Sequence, residues 1–96
     1  MSQRITVTTD ASTPLKPLIE SAVRNELRML ELGLQRTGER LKGFEQKHGL
    51  SSEEFERRFE ALEAEESLDF IEWAGEIKTY RLLEAQRQAL EQATVG

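Results

Sequence analysis

An all-α fold is predicted for this chain by three features: an apolar seam at helical spacing from Val23 to His48, a helix start at Ser51, and a second apolar stripe from Phe70 to Leu90. The arrangement expected is a long helix, a short acidic helix and a second long helix forming an extended antiparallel hairpin. A short N-terminal strand or arm precedes them. With 96 residues the chain makes one small helical domain, 1–96.

The arm occupies 1–13. Within it Arg4-Ile5-Thr6-Val7-Thr8-Thr9 alternates polar and apolar, with β-branched residues, as a strand does. No other segment reads as a strand, so this one is expected to pair with another chain or to fray as a disordered arm. The first helix is placed at 14–48, with Thr13 as N-cap and Pro14 in the first turn; Pro17 allows a later start. Val23, Leu27, Leu30, Leu34, Thr37, Leu41, Phe44 and His48 recur alternately four and three residues apart, the seam of a coiled coil or a helical hairpin. Ile19, Ala22 and Met29 widen its N-terminal half. Gly33, Gly38 and Gly43 lie off the seam, and mark either close approach of another helix or a bend.

Gly49 ends this helix, with Lys47 and His48 in the last turn where the dipole favours cations. Ser51 and Glu54 have the spacing of a capping box, opening a second helix at 51–65 with Phe55, Phe59 and Leu62 on one face. Three apolar residues do not hold a helix alone, so it must dock. Ser67 caps the third helix, 67–93. Its main stripe is Phe70, Trp73, Ile77, Tyr80, Leu83 and Leu90, flanked by Ile71, Ala74 and Leu82. Such a hairpin leaves apolar faces that a homodimer would cover.

Composition narrows the function classes. The absence of cysteine excludes disulfides and thiolate metal sites, and the single histidine leaves no His cluster, so no metal or cofactor is expected. There is no phosphate-binding loop, and no two of the many carboxylates are singled out for acid–base work. No catalytic residue is therefore assigned, and the chain is read as non-enzymatic. No segment is apolar enough to span a membrane or to serve as a secretion signal, which points to the cytoplasm.

Charge is uneven. Residues 51–76 carry −8 of a total of −5, while 1–50 carry +2. An acidic block disfavours nucleic acid and suits a basic protein partner. Within it Glu65, Asp69, Glu72 and Glu76 share a helical face, with Trp73 beside them as a candidate anchor. The alternative is internal: Arg36 and Arg40, one turn apart on the first helix, would neutralise that face inside the hairpin, with Trp73 in the core. Val23, Leu27, Leu30, Leu34, Leu41 and Phe44 are the candidate oligomer seam.

Three blocks in order, Leu32-Gly33-Leu34-x-Arg36-Thr37-x-Glu39-Arg40-Leu41, Phe44-Glu45-x-Lys47-His48-Gly49-x-Ser51-Ser52-Glu53-Glu54-Phe55 and Asp69-Phe70-Ile71-Glu72-Trp73-Ala74-Gly75-Glu76, resemble small prokaryotic helical proteins encoded beside toxins of the TumE type. The resemblance covers residues 5–90; His48 stands where such proteins usually carry Tyr. It implies an antitoxin-like binding module that sequesters a toxin, with no chemistry of its own. The readings beside it are a self-assembling coiled-coil adaptor and a nucleic-acid-binding regulator.

Overall fold

The computed structural model describes residues 3–6, 8, 14–60 and 67–95. Along them run β1 (Gln3–Ile5), α1 (Lys16–His48), α2 (Ser52–Glu60), α3 (Leu68–Gln92) and β2 (Ala93–Val95). The long–short–long helix order follows the sequence pattern. Thr13 lies outside the described residues, as do 61–66, where α2 was expected to continue.

Several helix boundaries have a local cause. α1 begins at Lys16, so Pro17 falls in the first turn, where its missing N–H removes no intrahelical bond. At its other end Gly49 takes a left-handed conformation (φ 64°) and its N–H donates to the Glu45 carbonyl. The Ser51 hydroxyl accepts from the Glu54 N–H at 3.1 Å, and the Ser67 hydroxyl accepts from the Phe70 N–H at 3.2 Å. The capping box at Ser51 is half made. The Glu54 carboxylate turns to Arg57 and Arg58 instead of reaching back, and the Ser52 N–H is taken by the Glu45 side chain at 2.8 Å.

α1 and α3 pack antiparallel, in a register marked by Lys47 beside Asp69, Arg40 beside Glu76 and Gly33 beside Leu83. The resulting body is a rod of 60 × 22 × 17 Å. A methyl group on Gly33 would lie 3.2 Å from Leu83, so this glycine admits the facing side chain; Gly43 meets nothing. Close approach explains Gly33, and α1 runs through all three glycines as one helix.

The densest packing lies where the three helices meet. Phe55, Trp73 and Ile77 form the buried cluster, and Leu41, Phe44, Leu50, Phe59, Phe70 and Ala74 pack against it. Leu30, Leu34 and Thr37 continue the buried line along α1. At the far end of the rod β1 pairs in parallel with β2, Gln3 opposite Ala93 and Ile5 opposite Val95. The N-terminal strand thus finds a neighbour in its own chain, beyond the end of α3. Ala93-Thr94-Val95 carries too few residues to show a strand period, which is why this segment read as a helix end.

Candidate functional site

Two of the four acids expected to meet a partner are paired within the fold. Asp69 lies 2.5 Å from the Lys47 ammonium and 3.1 Å from His48 Nε2. Glu76 accepts from Arg40 Nη1 at 3.3 Å. Arg81 of α3 grips Glu56 of α2 with both terminal nitrogens, and Glu54 holds Arg57 and Arg58 within its own helix. Of the two arginines considered for this task, Arg40 performs it; Arg36 is exposed and makes no ion pair among the described residues. Glu72 remains open to solvent, and Glu65 lies outside the described residues. Sequence proximity grouped these acids as one face, whereas the antiparallel register brings two of them to cations of α1.

Trp73 is the second correction. Its side chain is 0% exposed, so it anchors the hairpin and does not stand on a docking surface. The indole stacks on Phe55 at 4.0 Å between centroids and within 1° of parallel, and on Phe44 and His48 at 5.7 and 5.6 Å. Its N–H donates to the buried Ser52 hydroxyl at 3.0 Å, a partner no sequence spacing revealed. The aromatic residues of α1 and α2 converge on this one indole of α3.

The candidate oligomer seam is corrected in the same way. Leu30 and Leu34 are buried within the single chain, and Leu41 and Phe44 pack on the Phe55–Trp73–Ile77 cluster. These four residues pack within the hairpin, Leu30 and Leu34 buried in it and Leu41 and Phe44 partly so. Val23 and Leu27, nearer the open end, stay half-buried.

The ion pairs carry a pH dependence of definite sign. Hydrogen bonds from Arg57, then Arg58, hold the Glu54 carboxyl down to about 2 from its ordinary 4.5. The Lys47 ammonium, then His48, hold Asp69 below its usual value. Depressed carboxyl values stabilise the fold above the ordinary carboxylate range, and that contribution is lost as the pH falls through the folded-state values. Acidification from pH 5 to 2 should therefore lower the urea midpoint, and Asp69→Asn should lower it at pH 7 while flattening the acid loss. An unchanged acid slope in Asp69→Asn would rule out the Lys47–Asp69 pair as a contributor. Both carboxylates are partly exposed, so the effect is modest and fades in salt.

An open cleft of about 370 Å³ runs beside α2, with Leu41, Ile77 and Tyr80 along its floor. Half of its charged groups are engaged: Glu45 holds the Ser52 N–H and Glu56 holds Arg81. Among the described residues no three His, Cys, Asp or Glu side chains are grouped to hold a metal, and no helix is long and apolar enough to cross a membrane.

Large apolar residues left outside the core are the more informative feature. Leu18, Met29 and Leu32 on α1 and Leu68, Ile71 and Leu82 on α3 are each 42–72% exposed. The signal for them in the sequence is a second period. Leu18-Ala22-Asn25-Met29-Leu32 has coiled-coil spacing on a face of α1 distinct from the Leu30–Leu34 seam, and every member is exposed. The chain's 7255 Å² of accessible surface compares with roughly 5,600 Å² for a compact monomer of its 11.0 kDa mass. No protein-family model, curated protein or solved structure matches the chain.

Proposed function

We propose that this protein is a non-enzymatic binding module of the cytoplasm, an antitoxin-like homodimer that sequesters a small toxin by covering its working surface. The observation that carries this reading is the unpartnered apolar stripe of α1. The core uses one face of that helix and leaves Leu18, Met29 and Leu32 to water, which a helix surface does at a cost unless something covers it. The resemblance of the three sequence blocks to proteins encoded beside TumE-type toxins supplies the class of partner. The docking surface moves accordingly, from the acidic residues around Trp73 to the N-terminal half of α1, where an amphipathic stripe suits a groove on the partner.

The test is binding to the protein encoded in the adjacent reading frame, followed by calorimetry. Met29→Glu combined with Leu32→Glu should weaken binding by roughly 100-fold, as expected when two apolar contacts near the centre of an interface are replaced by charge. Helicity should stay unchanged, because both side chains already lie outside the core. Wild-type affinity in the double variant would refute the α1 surface, and absence of any complex with the adjacent gene product would refute the antitoxin reading.

A further inference from the structure

The outer face of α3 carries a different kind of information, because it is complementary to itself. Leu68, Ile71, Gly75, Lys78, Leu82 and Ala85 follow one another at spacings of three, four, three, four and three, and all six are exposed. Trp73 and Ile77, the residues α3 gives to the core, lie on the other side of the helix. A side chain at Gly75 would meet nothing within 4 Å, so this glycine opens outward and leaves a notch in the middle of the stripe. Ala89 extends the stripe toward the end of the helix. α3 therefore has two apolar faces, and the hairpin covers one.

We propose that a second copy of this chain covers the other, with the two α3 helices packed antiparallel about a two-fold axis between residues 76 and 77. At that register Ile71 faces the partner's Leu82 twice, by symmetry, and Leu68 faces the partner's Ala85. Lys78 falls opposite the partner's Gly75, in the notch that the absent side chain leaves. Its ammonium then lies within one turn of the partner's Glu72. Glu72 and Lys78 are both exposed, and neither has an ion-pair partner among the described residues. Six residues apart on one helix, they do not reach each other within a chain. The antiparallel dimer pairs each with its opposite charge on the other copy. A parallel dimer would instead set Lys78 against Lys78 at the centre of the seam and Gly75 against Gly75. Charge and shape thus select one orientation.

The chain exposes about 1,600 Å² more than a compact monomer of its mass, and an ordinary interface takes roughly 800 Å² from each partner. This inference rests on the homodimer of the reading above and is independent of the toxin, whose proposed surface is on α1.

Sedimentation of the full chain at about 100 µM tests it, since a seam this short is expected to close in the micromolar range. The wild type should be a dimer, and Ile71→Glu should raise the dissociation constant by more than 100-fold with helicity unchanged. Glu72→Lys and Lys78→Glu should each weaken the dimer, and their combination should restore it. The chain has no cysteine, which makes cross-linking unambiguous. Ile71→Cys with Leu82→Cys should give a covalent dimer on mild oxidation. Ile71→Cys alone should not, because the two copies of residue 71 lie eleven residues apart along the axis, roughly 16 Å. A monomeric wild type would overturn both the homodimer and this interface. A dimer indifferent to Ile71→Glu would overturn the interface alone, and cross-linking through Ile71→Cys alone would overturn the antiparallel register.

Discussion

Replacing Trp73 by alanine should lower the stability of this protein by about 3–5 kcal/mol, the usual cost of truncating a large buried aromatic residue. A domain of this size has only about 5–15 kcal/mol in total, so the variant should be substantially unfolded at moderate urea. The indole is the one side chain that Phe44 and His48 of α1 and Phe55 of α2 all stack upon. Its loss leaves a void where three helices meet and takes the hydrogen-bond partner from the buried Ser52 hydroxyl. α2 suffers most, since nine residues do not make a stable helix without a surface to dock on. Trp73→Phe keeps a ring in place but not the N–H, and should cost less, about 1–3 kcal/mol from the unpaired hydroxyl and residual space. Urea titration followed by circular dichroism measures both. A Trp73→Ala variant with the wild-type midpoint would mean that the indole is not in the core, and would return it to the partner surface.

The local signals in this sequence were legible because they depend on near neighbours. Gly49, Ser51 and Ser67 end and start helices through bonds to residues three or four positions away, and the structure uses all three. The spacing from Val23 to His48 marked the buried line at Leu30, Leu34 and Thr37 for the same reason. What the sequence did not disclose is which residues meet across the hairpin. The acids of α2 and α3 are so many that any could pair with any cation. The choice is made by an antiparallel register that brings Arg40 to Glu76 and Lys47 to Asp69, and sets Arg36 level with Tyr80. Register also decides the role of Trp73, which a stripe of one helix cannot show. The parallel pairing of Gln3–Ile5 with Ala93–Val95 lies further out of reach, since it joins the two ends of the chain through three residues each. The outer stripes are an intermediate case. Met29, Ile71 and Leu82 stood out as additions to the inner faces, and became a separate feature only once those faces were seen to be filled.

The same register leads to the second large effect. Leu34→Asp should abolish the folded state, not merely dissociate an assembly. Leu34 is 7% exposed, next to Gly33 where Leu83 of α3 closes on the helix, and it is flanked along the seam by Leu30 at 6% and Thr37 at 3%. An aspartate there loses the transfer free energy of the leucine and must also bury a carboxylate. None of the near seam neighbours is a cation, so nothing offsets the desolvation. Together these cost more than about 4 kcal/mol, comparable to the whole stability of a small domain. The outcome separates two roles for the Val23–His48 seam that look identical in sequence. Were the seam an interface between molecules, the variant would keep its helicity and change only its sedimentation. With the seam inside one hairpin, helicity itself collapses, at every protein concentration. Met29→Asp is the control on the same helix. Met29 is 55% exposed, so its charge stays in water and the fold survives. A Leu34→Asp chain that remains helical and monomeric would place the seam between chains. The helix would then have one face to explain where the structure gives it two.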